Sequence, residues 1–412
     1  LLNSLKLELT EVDSALRSVE EVREEIISHV IPTDRSELRS VEFALGQIVA
    51  EDTVADVDVP PADNSAMDGF ALDTEDPDIR LGGSYRVSDR IPAGRVGQPL
   101  VPGTLARIFT GANVPTGANA ILIQENATLE DGNIIIDVLP EPGAWIRPQG
   151  QDLRKGGVAV PRGTRIRPQE QGLLTSVGKT HVQVYCPLTV ALFSTGDELR
   201  DPPDTLNPGQ IYNANRATLK GLLTKLGVKI VDLGCVPDDL KATEWALGKA
   251  AQSADCIITS GGVSVGEEDY VKQAVSNRGK LESWKVAMKP GKPVAFGHVD
   301  NTPFFGLPGN PVSTFVSYLL FVRPFLLKQQ GATEYMPEYY LAPAGFNIQG
   351  GSRREYLRVK REVAEDGTLL LRQFANQSSG VLSSVSWADG LAEIEIGAQV
   401  EDGNLIKIYP FP

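Results

Sequence analysis

Two short runs carry residue types suited to anion chemistry: TSGGVSVGEED at 259–269 and FGLPGNPVS at 305–313. Each follows an apolar, strand-like stretch, CIITS in one case and FFGL in the other. A third loop of the same kind, STGDEL, follows LTVALFS. Glycine lets backbone N–H groups come close to a ligand, and a helix starting just beyond turns its positive end toward an anion. Pro311 suits the first position of such a helix, where no N–H is needed. The residues placed to meet a ligand are Ser194 and Thr195, then Gly261, Gly262 and Ser264, then Pro308, Pro311 and Ser313. Phosphate is the anion such loops most often take. A single loop of this type is commonly a tight turn and nothing more. Three at strand ends of one α/β sheet point to a site, because ligands of such sheets bind beyond the carboxyl ends of the strands. No GxGxxG follows a strand and no GxxxxGK[ST] occurs, so neither a nicotinamide enzyme nor a P-loop nucleotidase is expected.

Acids stand beside these loops. Glu198 follows Asp197, Asp238 precedes Asp239, and Asp269 ends the run Glu267–Glu268–Asp269. Carboxylates next to phosphate repel it unless a hard cation lies between, and Mg²⁺ with carboxylate, water and phosphate ligands fits that need. Asp239, Glu267 and Glu268 also suit helix N-termini as caps, a purely structural use. Asp269 lies a turn further in and is less easily explained that way. Bases are local too: WKVAMKPGKP (284–293) brings Lys285, Lys289 and Lys292 just ahead of the last Gly-rich loop. A lysine run is usually a solvated surface, but here PGKP pins it beside an anion site.

The elements that must position these groups follow from periodicity. Between 188 and 330, strand-like runs (LTVALFS, VKIVDLG, CIITS, PVAFG, FFGL) alternate with helical ones (ANRATLKGLLTKLG, LKATEWALGKAAQ, EEDYVKQAVSN, VSTFVSYLLFVRPFLL). That alternation predicts a doubly wound parallel sheet covered on both faces. Upstream, Ser18 followed by Glu21 forms a capping box for a helix to about His29, ended by Pro32. A second helix is expected over roughly 36–50, carrying Leu38, Val41, Ala44 and Leu45. From 52 to 146, short β-rich runs (TVADVDV, ARIFT, AILIQE, NIIIDVL) separated by turn clusters predict a small β domain, and a helix is expected near 168–176. After about 335 the runs EYLRVKREV, TLLLRQF, LAEIEI and LIKIYP predict a C-terminal β domain.

Composition sets the bounds. The chain has 412 residues, 42% hydrophobic and 22% charged, ordinary for a globular protein of several cores. Its formal charge of −14, from 39 Lys+Arg against 53 Asp+Glu, argues against non-specific binding to nucleic acid or anionic membranes. Cys186, Cys235 and Cys256 form no CxxC, so no disulfide framework or zinc motif is expected and a reducing, cytoplasmic compartment is. His29, His181 and His298 are equally isolated and receive no catalytic role. The longest apolar run is broken by Arg323 and Pro324, which excludes an ordinary membrane span. The opening LLNSLKLELTEVDS is acidic, without a signal-peptide pattern, and residues 1–17 read as a tail.

Taken together, NSAMDG (64–69), RIFTGANVPTGANA (107–120), STGDEL, GQIYNANR (209–216), TSGGVSVGEEDYVK, KPGKP and GLPGNPVS closely resemble the molybdopterin molybdenumtransferase, or MoeA, family, which includes the E domain of gephyrin. The motifs keep the family's order and span nearly the whole chain. The resemblance implies a multidomain α/β plus β protein. Its parts would be a helical linker domain (1–51 with 147–178), a β-rich domain (52–146), a central molybdopterin-binding-like α/β domain (179–330) and a C-terminal β-barrel-like domain (331–412). It implies Mg²⁺-assisted cleavage of adenylylated molybdopterin, insertion of molybdate at the dithiolene and release of AMP. It further implies a homodimer whose active site is shared between subunits, with a molybdopterin adenylyltransferase as a candidate protein partner. By motif match, the family's catalytic acids fall on Asp63, Asp152, Glu198, Asp238 and Asp269, and its TGA threonine on Thr110. Its lysines fall on Lys285, Lys289 and Lys292, and its PGNP prolines on Pro308 and Pro311. Its molybdate-binding arginine and serine fall on Arg353, with Arg354 as the competing position, and on Ser379. The chain departs from the family at Gln151 and Asn213.

Two other classes share features. The adenylyltransferases have a similar α/β domain with a TSGG loop but are small and lack NSAMDG and the β domains. A scaffold role, as gephyrin has, is disfavoured by the presence of the site acids.

Overall fold

The computed structural model describes residues 16–262, 270–363, 365 and 367–412. The described residues form two compact units: one from residues 16–36 with Gly46–Ile48 and Tyr185–Pro412, the other from Glu37–Leu45 and Val49–Val184.

In the first unit, helix α1 (Val19–Ser28) begins at the expected capping box. The Ser18 hydroxyl accepts from the Glu21 N–H (3.2 Å), and the Glu21 carboxylate accepts from the Ser18 N–H (2.8 Å). Such a cap contributes about 1 kcal/mol. Val19, Val22 and Ile26 form its buried stripe. The central layer then runs β1 (Thr189–Thr195), α2 (Ala214–Leu226), β2 (Lys229–Val236), α3 (Leu240–Ser253), β3 (Cys256–Ser260), α4 (Tyr270–Arg278), β4 (Gly279–Lys285), β5 (Met288–Lys289), β6 (Pro293–Val299), β7 (Thr302–Leu307) and α5 (Pro311–Ser317). A π-type stretch (Tyr318–Val322) and α6 (Arg323–Gln329) continue α5, with Pro324 in the first turn of α6.

Six strands make the sheet in the order β2-β1-β3-β7-β6-β4. The first four are parallel, which brings the ends of β1, β2, β3 and β7 to one edge. The sheet is mixed rather than wholly parallel, a correction to the expectation. Strand β6 returns antiparallel to β7 through Asp300 and Asn301, both left-handed (φ 48° and 71°), and β4 pairs antiparallel with β6. A two-residue turn with both φ positive is the hairpin connection that matches strand twist. On one face Ala191, Phe193, Ile257 and Phe304 pack with Ala246, Leu247, Val271, Ala274 and Val275 of α3 and α4. Val190, Leu192, Ile258 and Phe305 alternate with them and are also fully buried, so both faces of the sheet are covered.

Downstream, β8 (Tyr340–Pro343) precedes the four expected runs, which form β9 (Arg354–Val363), β10 (Leu369–Gln373), β11 (Gly390–Ile394) and β12 (Leu405–Pro410). The order is β5-β9-β11-β12-β8, with β10 paired to the C-terminal half of β9 (Val359–Val363). A bridge between Ala344 and Leu371 brings the far end back to β10, so the sheet curls around Leu357, Val359, Leu371, Ala392, Ile394 and Ile408.

The second unit holds a four-stranded sheet (Val87–Ile91, Leu105–Ile108, Gly69–Leu72, Ala120–Ile123) and a three-stranded one (Ser84–Tyr85, Asn133–Ile136, Ala127–Glu130). The helix expected near 168–176 is present as Pro168–Ser176. The helix expected over 36–50 is not: Ser36–Ser40 is a strand, followed by a 3₁₀ turn at Val41–Phe43. Only Val41 and Ala44 of its supposed stripe are buried, whereas Leu38 is 68% exposed and Leu45 56%. Val41, Ala44, Val49, Val160, Ile166, Leu174, Val182 and Val184 form a core distinct from those of the two sheets.

Candidate functional site

The parallel strand ends open onto a cavity of about 730 Å³. Thr195 and Gly196 at the end of β1, and Gly261 and Gly262 after β3, form its floor. The two glycines are required there. Both are left-handed (φ 92° and 64°), and a Cβ would stand 2.7 Å from the Thr195 carbonyl at Gly261 and 2.5 Å from Val271 at Gly262. Beside them the Thr195 hydroxyl is buried without a hydrogen-bond partner among the described residues. A buried hydroxyl facing a cavity is a donor ready for a ligand oxygen. Pro308, Gly309 and Asn310 supply the next wall. Their loop is held by Thr314, whose hydroxyl donates to the Pro308 carbonyl (2.5 Å), and by Asn215, whose amide donates to the Gly309 carbonyl (2.7 Å). Pro311 occupies the first turn of α5 as expected and does not line the cavity; Ser313, two residues on, does.

Charge divides the lining. Glu198 and Asp238, both exposed, bring carboxylates from the ends of β1 and β2. Lys289, Lys292 and Arg353 bring cations, with Ser313, Ser378, Ser379 and the Gln377 amide beside them. The Lys289 ammonium is 3.1 Å from Glu355, which partly neutralises it. Arg353 donates to the Met288 carbonyl (3.1 Å) and leaves its remaining donors for the cavity. Its neighbour Arg354 is committed elsewhere, paired with Glu20, Glu395 (3.0 Å) and Glu393 (3.9 Å). Of the two arginines, Arg353 lines the cavity and Arg354 does not.

Besides Pro311, two expected ligand-contacting residues do not reach it. Ser194 is fully buried and its hydroxyl lies 3.0 Å from that of Ser260, so it serves the packing between β1 and β3. Lys285 ends β4 opposite Pro293 and is not part of the lining. Asp239 caps α3, accepting from the Ala242 N–H (2.9 Å), its structural use. Ser264 and Asp269 lie outside the described residues.

In the second unit, backbone pairing brings together the segments that hold Asp63, Thr110 and Asp152, all three exposed. Val114 donates to the Asp63 carbonyl (3.0 Å), Gly111 to that of Ser65 (2.8 Å), and Asp152 to that of Val59 (2.9 Å). The Asp63 carboxylate accepts from the Gln149 N–H (2.7 Å). The Thr110 N–H and hydroxyl both donate to Asp68 at 2.8 Å and hold its carboxyl below the usual range.

Comparison with known proteins decides the family. Family models described as the MoeA N-terminal region (domain I and II), a probable molybdopterin binding domain and the MoeA C-terminal region (domain IV) match residues 17–178, 191–328 and 342–411. The molybdopterin molybdenumtransferase of Haemophilus influenzae is 37% identical over 96% of this chain and 98% of its own length. The chain belongs to the molybdopterin molybdenumtransferase family. The family's member from Nostoc is 33% identical over 92% of this chain and 89% of its own. The MoeA structure from Pyrococcus horikoshii OT3 superimposes with a TM-score of 0.81 at 28% identity, covering 96% of this chain and all of that one. The chain is thus a transferase of a molybdenum cofactor biosynthesis family.

Within this cavity, the donors suit a hard cation. Among the described residues no group of three or more metal-ligating side chains forms. Mg²⁺ needs only one or two carboxylates when water and ligand phosphates complete its shell, and Glu198 and Asp238 supply carboxylate oxygens on one cavity. The nearby Cys235 thiol is pushed up by burial and by Asp201, Asp238 and Glu198. Gly196 of the STGDEL loop lines the cavity as its place at a strand end suggests, whereas Gln377 and Ser378 line it without a signal at a strand end. The run NQSSG around Gln377 and Ser378 was the available signal, but nothing local says that it faces a ligand.

Proposed function

We propose that this chain cleaves adenylylated molybdopterin with the aid of Mg²⁺ and transfers molybdate to the dithiolene, releasing AMP. One observation carries the reading: a single cavity combines a glycine-floored, hydroxyl-lined wall, a pair of carboxylates and a cluster of three cations with serines. The Gly261 and Gly262 backbone and the Thr195 hydroxyl would hold the pyrophosphate. Lys289, Lys292, Arg353, Ser313 and Ser379 would hold molybdate, a tetrahedral dianion. Glu198, with Asp269, would hold Mg²⁺, and Asp238 would orient the attacking oxygen at phosphorus. Bound Mg²⁺ would supply charge withdrawal from the pyrophosphate oxygens. Asp63, Thr110 and Asp152 would act from the partner subunit of a homodimer.

We also propose the four-domain division 1–51 with 147–178, 52–146, 179–330 and 331–412, which the separate hydrophobic cores support. The reading includes a cytoplasmic setting, in accord with three free cysteines, and delivery of the substrate by an adenylyltransferase. The test is direct. Purified protein mixed with adenylylated molybdopterin and Mg²⁺ should release AMP when molybdate is added, and Asp269→Asn should abolish release while leaving the circular dichroism spectrum unchanged. No molybdate-dependent AMP from the wild type would defeat the reading.

A further inference from the structure

Behind the basic end of the cavity lies a cation that the reaction scheme above does not use. Arg358, on β9, is the largest of the fully buried side chains, with 1% exposure. Among the described residues every hydrogen-bond partner of its guanidinium is neutral: the Ser384 hydroxyl (3.1 Å from Nε), the Tyr356 carbonyl (3.1 Å from Nη1) and the Ser378 carbonyl (3.4 Å from Nη2). Among the described residues no carboxylate pairs with it, and burial alone bears on its basicity, lowering its pKa to about 10. It therefore remains charged at neutral pH. The contrast with Arg354 on the same strand is sharp, since that guanidinium meets the carboxylates of Glu20, Glu393 and Glu395. A buried ion without a counter-charge is costly to the fold, so its retention calls for a compensating role.

The neighbours of Arg358 indicate what that role is. Its backbone N–H donates to the Gln377 side-chain carbonyl (3.0 Å), and the Gln377 amide donates back to the Arg358 carbonyl (3.0 Å). The Ser378 carbonyl is held by the guanidinium, and the Ser379 carbonyl by the Val312 N–H (3.0 Å). Gln377, Ser378 and Ser379 are the segment that lines the cavity together with Lys289 and Arg353. We infer that Arg358 is a positioning residue for the oxyanion end of the cavity: it pins the 377–379 segment and leaves behind it an unneutralised positive charge that a bound tetrahedral dianion compensates. This rests on the placement of molybdate proposed above.

The experiment titrates the full chain with molybdate alone by calorimetry and then measures AMP release against molybdate and against adenylylated molybdopterin. Arg358→Gln should weaken molybdate binding by about tenfold or more. Arg358→Lys, which keeps the charge but not the planar fork, should fall between it and the wild type. The loss should appear in KM for molybdate and not in KM for the adenylylated pterin. A purely structural role would lower the melting temperature and leave molybdate affinity unchanged in the folded variants, which would overturn the inference. Should Arg358→Gln not fold, Ser384→Ala carries the test: it frees the guanidinium Nε with little change of volume, and an unchanged molybdate Kd in that variant would overturn the inference equally. A wild type that binds no molybdate would overturn both this inference and the function it rests on. A wild type that binds while every variant matches it would overturn this one alone.

Discussion

Adjacent arginines at 353 and 354 show how far apart two chemically equal residues can stand. Arg353 spends one donor on the Met288 carbonyl and turns the rest to the cavity. Arg354, with 16% of its side chain exposed, is enclosed by Glu20, Glu393 and Glu395. Their replacements should separate accordingly. Arg353→Ala should raise KM for molybdate by about tenfold or more and leave the urea midpoint near that of the wild type. Arg354→Ala should lose about 3 kcal/mol of stability by leaving Glu393 short of a counter-charge, with little change in that KM. Parallel steady-state kinetics and urea titrations of the two variants would check this, and equal effects on both quantities would refute the division.

Among the elements, Glu393 ties three strands together. Its carboxylate, on β11, accepts from Tyr409 (2.9 Å) and Lys407 (2.9 Å) on β12 and from Tyr356 (3.2 Å) on β9, with Arg354 beyond. Burial would raise its pKa, but the bonds from Lys407 and Tyr409 and the charge of Arg354 outweigh this and hold it below 4.5. A folded pKa below the unfolded one means that the unfolded state binds the proton first on acidification. The stabilisation is thus fully present above the ordinary glutamate range and is lost as pH falls through the folded value. Glu393→Gln should cost about 3 kcal/mol at pH 7, and its deficit against the wild type should shrink progressively below about pH 4.5. Urea unfolding of both proteins at a series of pH values measures it; a deficit independent of pH would show that packing rather than charge is at stake. The same scale explains the mixed sheet. Asp300 and Asn301 favour a hairpin, and the hairpin reverses β6 against the parallel strands.

For the molecule as a whole, the proposed homodimer makes a quantitative forecast. If Glu198 and Asp63 complete one site from different subunits, a variant in each is inactive alone but the two complement each other. Co-refolding equal amounts of Asp63→Ala and Glu198→Ala should give half mixed dimers, each with one intact site of two, and hence about a quarter of wild-type AMP release. Size-exclusion chromatography with light scattering would verify the dimer. No recovery from a verified mixed dimer would place the two acids in the same subunit's site.

Local order of the chain determined much of this protein without any structure. The Ser18–Glu21 capping box, the Pro168 helix start and the strand runs of the C-terminal sheet depend on neighbours a few residues away. Motif order along the whole chain likewise carried the family. What the sequence misjudged depended on distant partners. The supposed 36–50 helix had an apolar period, but Leu38 and Leu45 face outward because only Val41 and Ala44 meet the core formed with Leu174 and Val182. Ser194 sits in a loop motif yet turns inward, since its parity on β1 points it at Ser260. Arg353, Arg354 and Arg358 are three arginines on one stretch of chain, and nothing in their spacing says which one faces the cavity, which joins a carboxylate network and which is sealed off from water. Tertiary structure alone decided that, because the energy of a charge depends on what surrounds it and the surroundings come from strands remote in sequence.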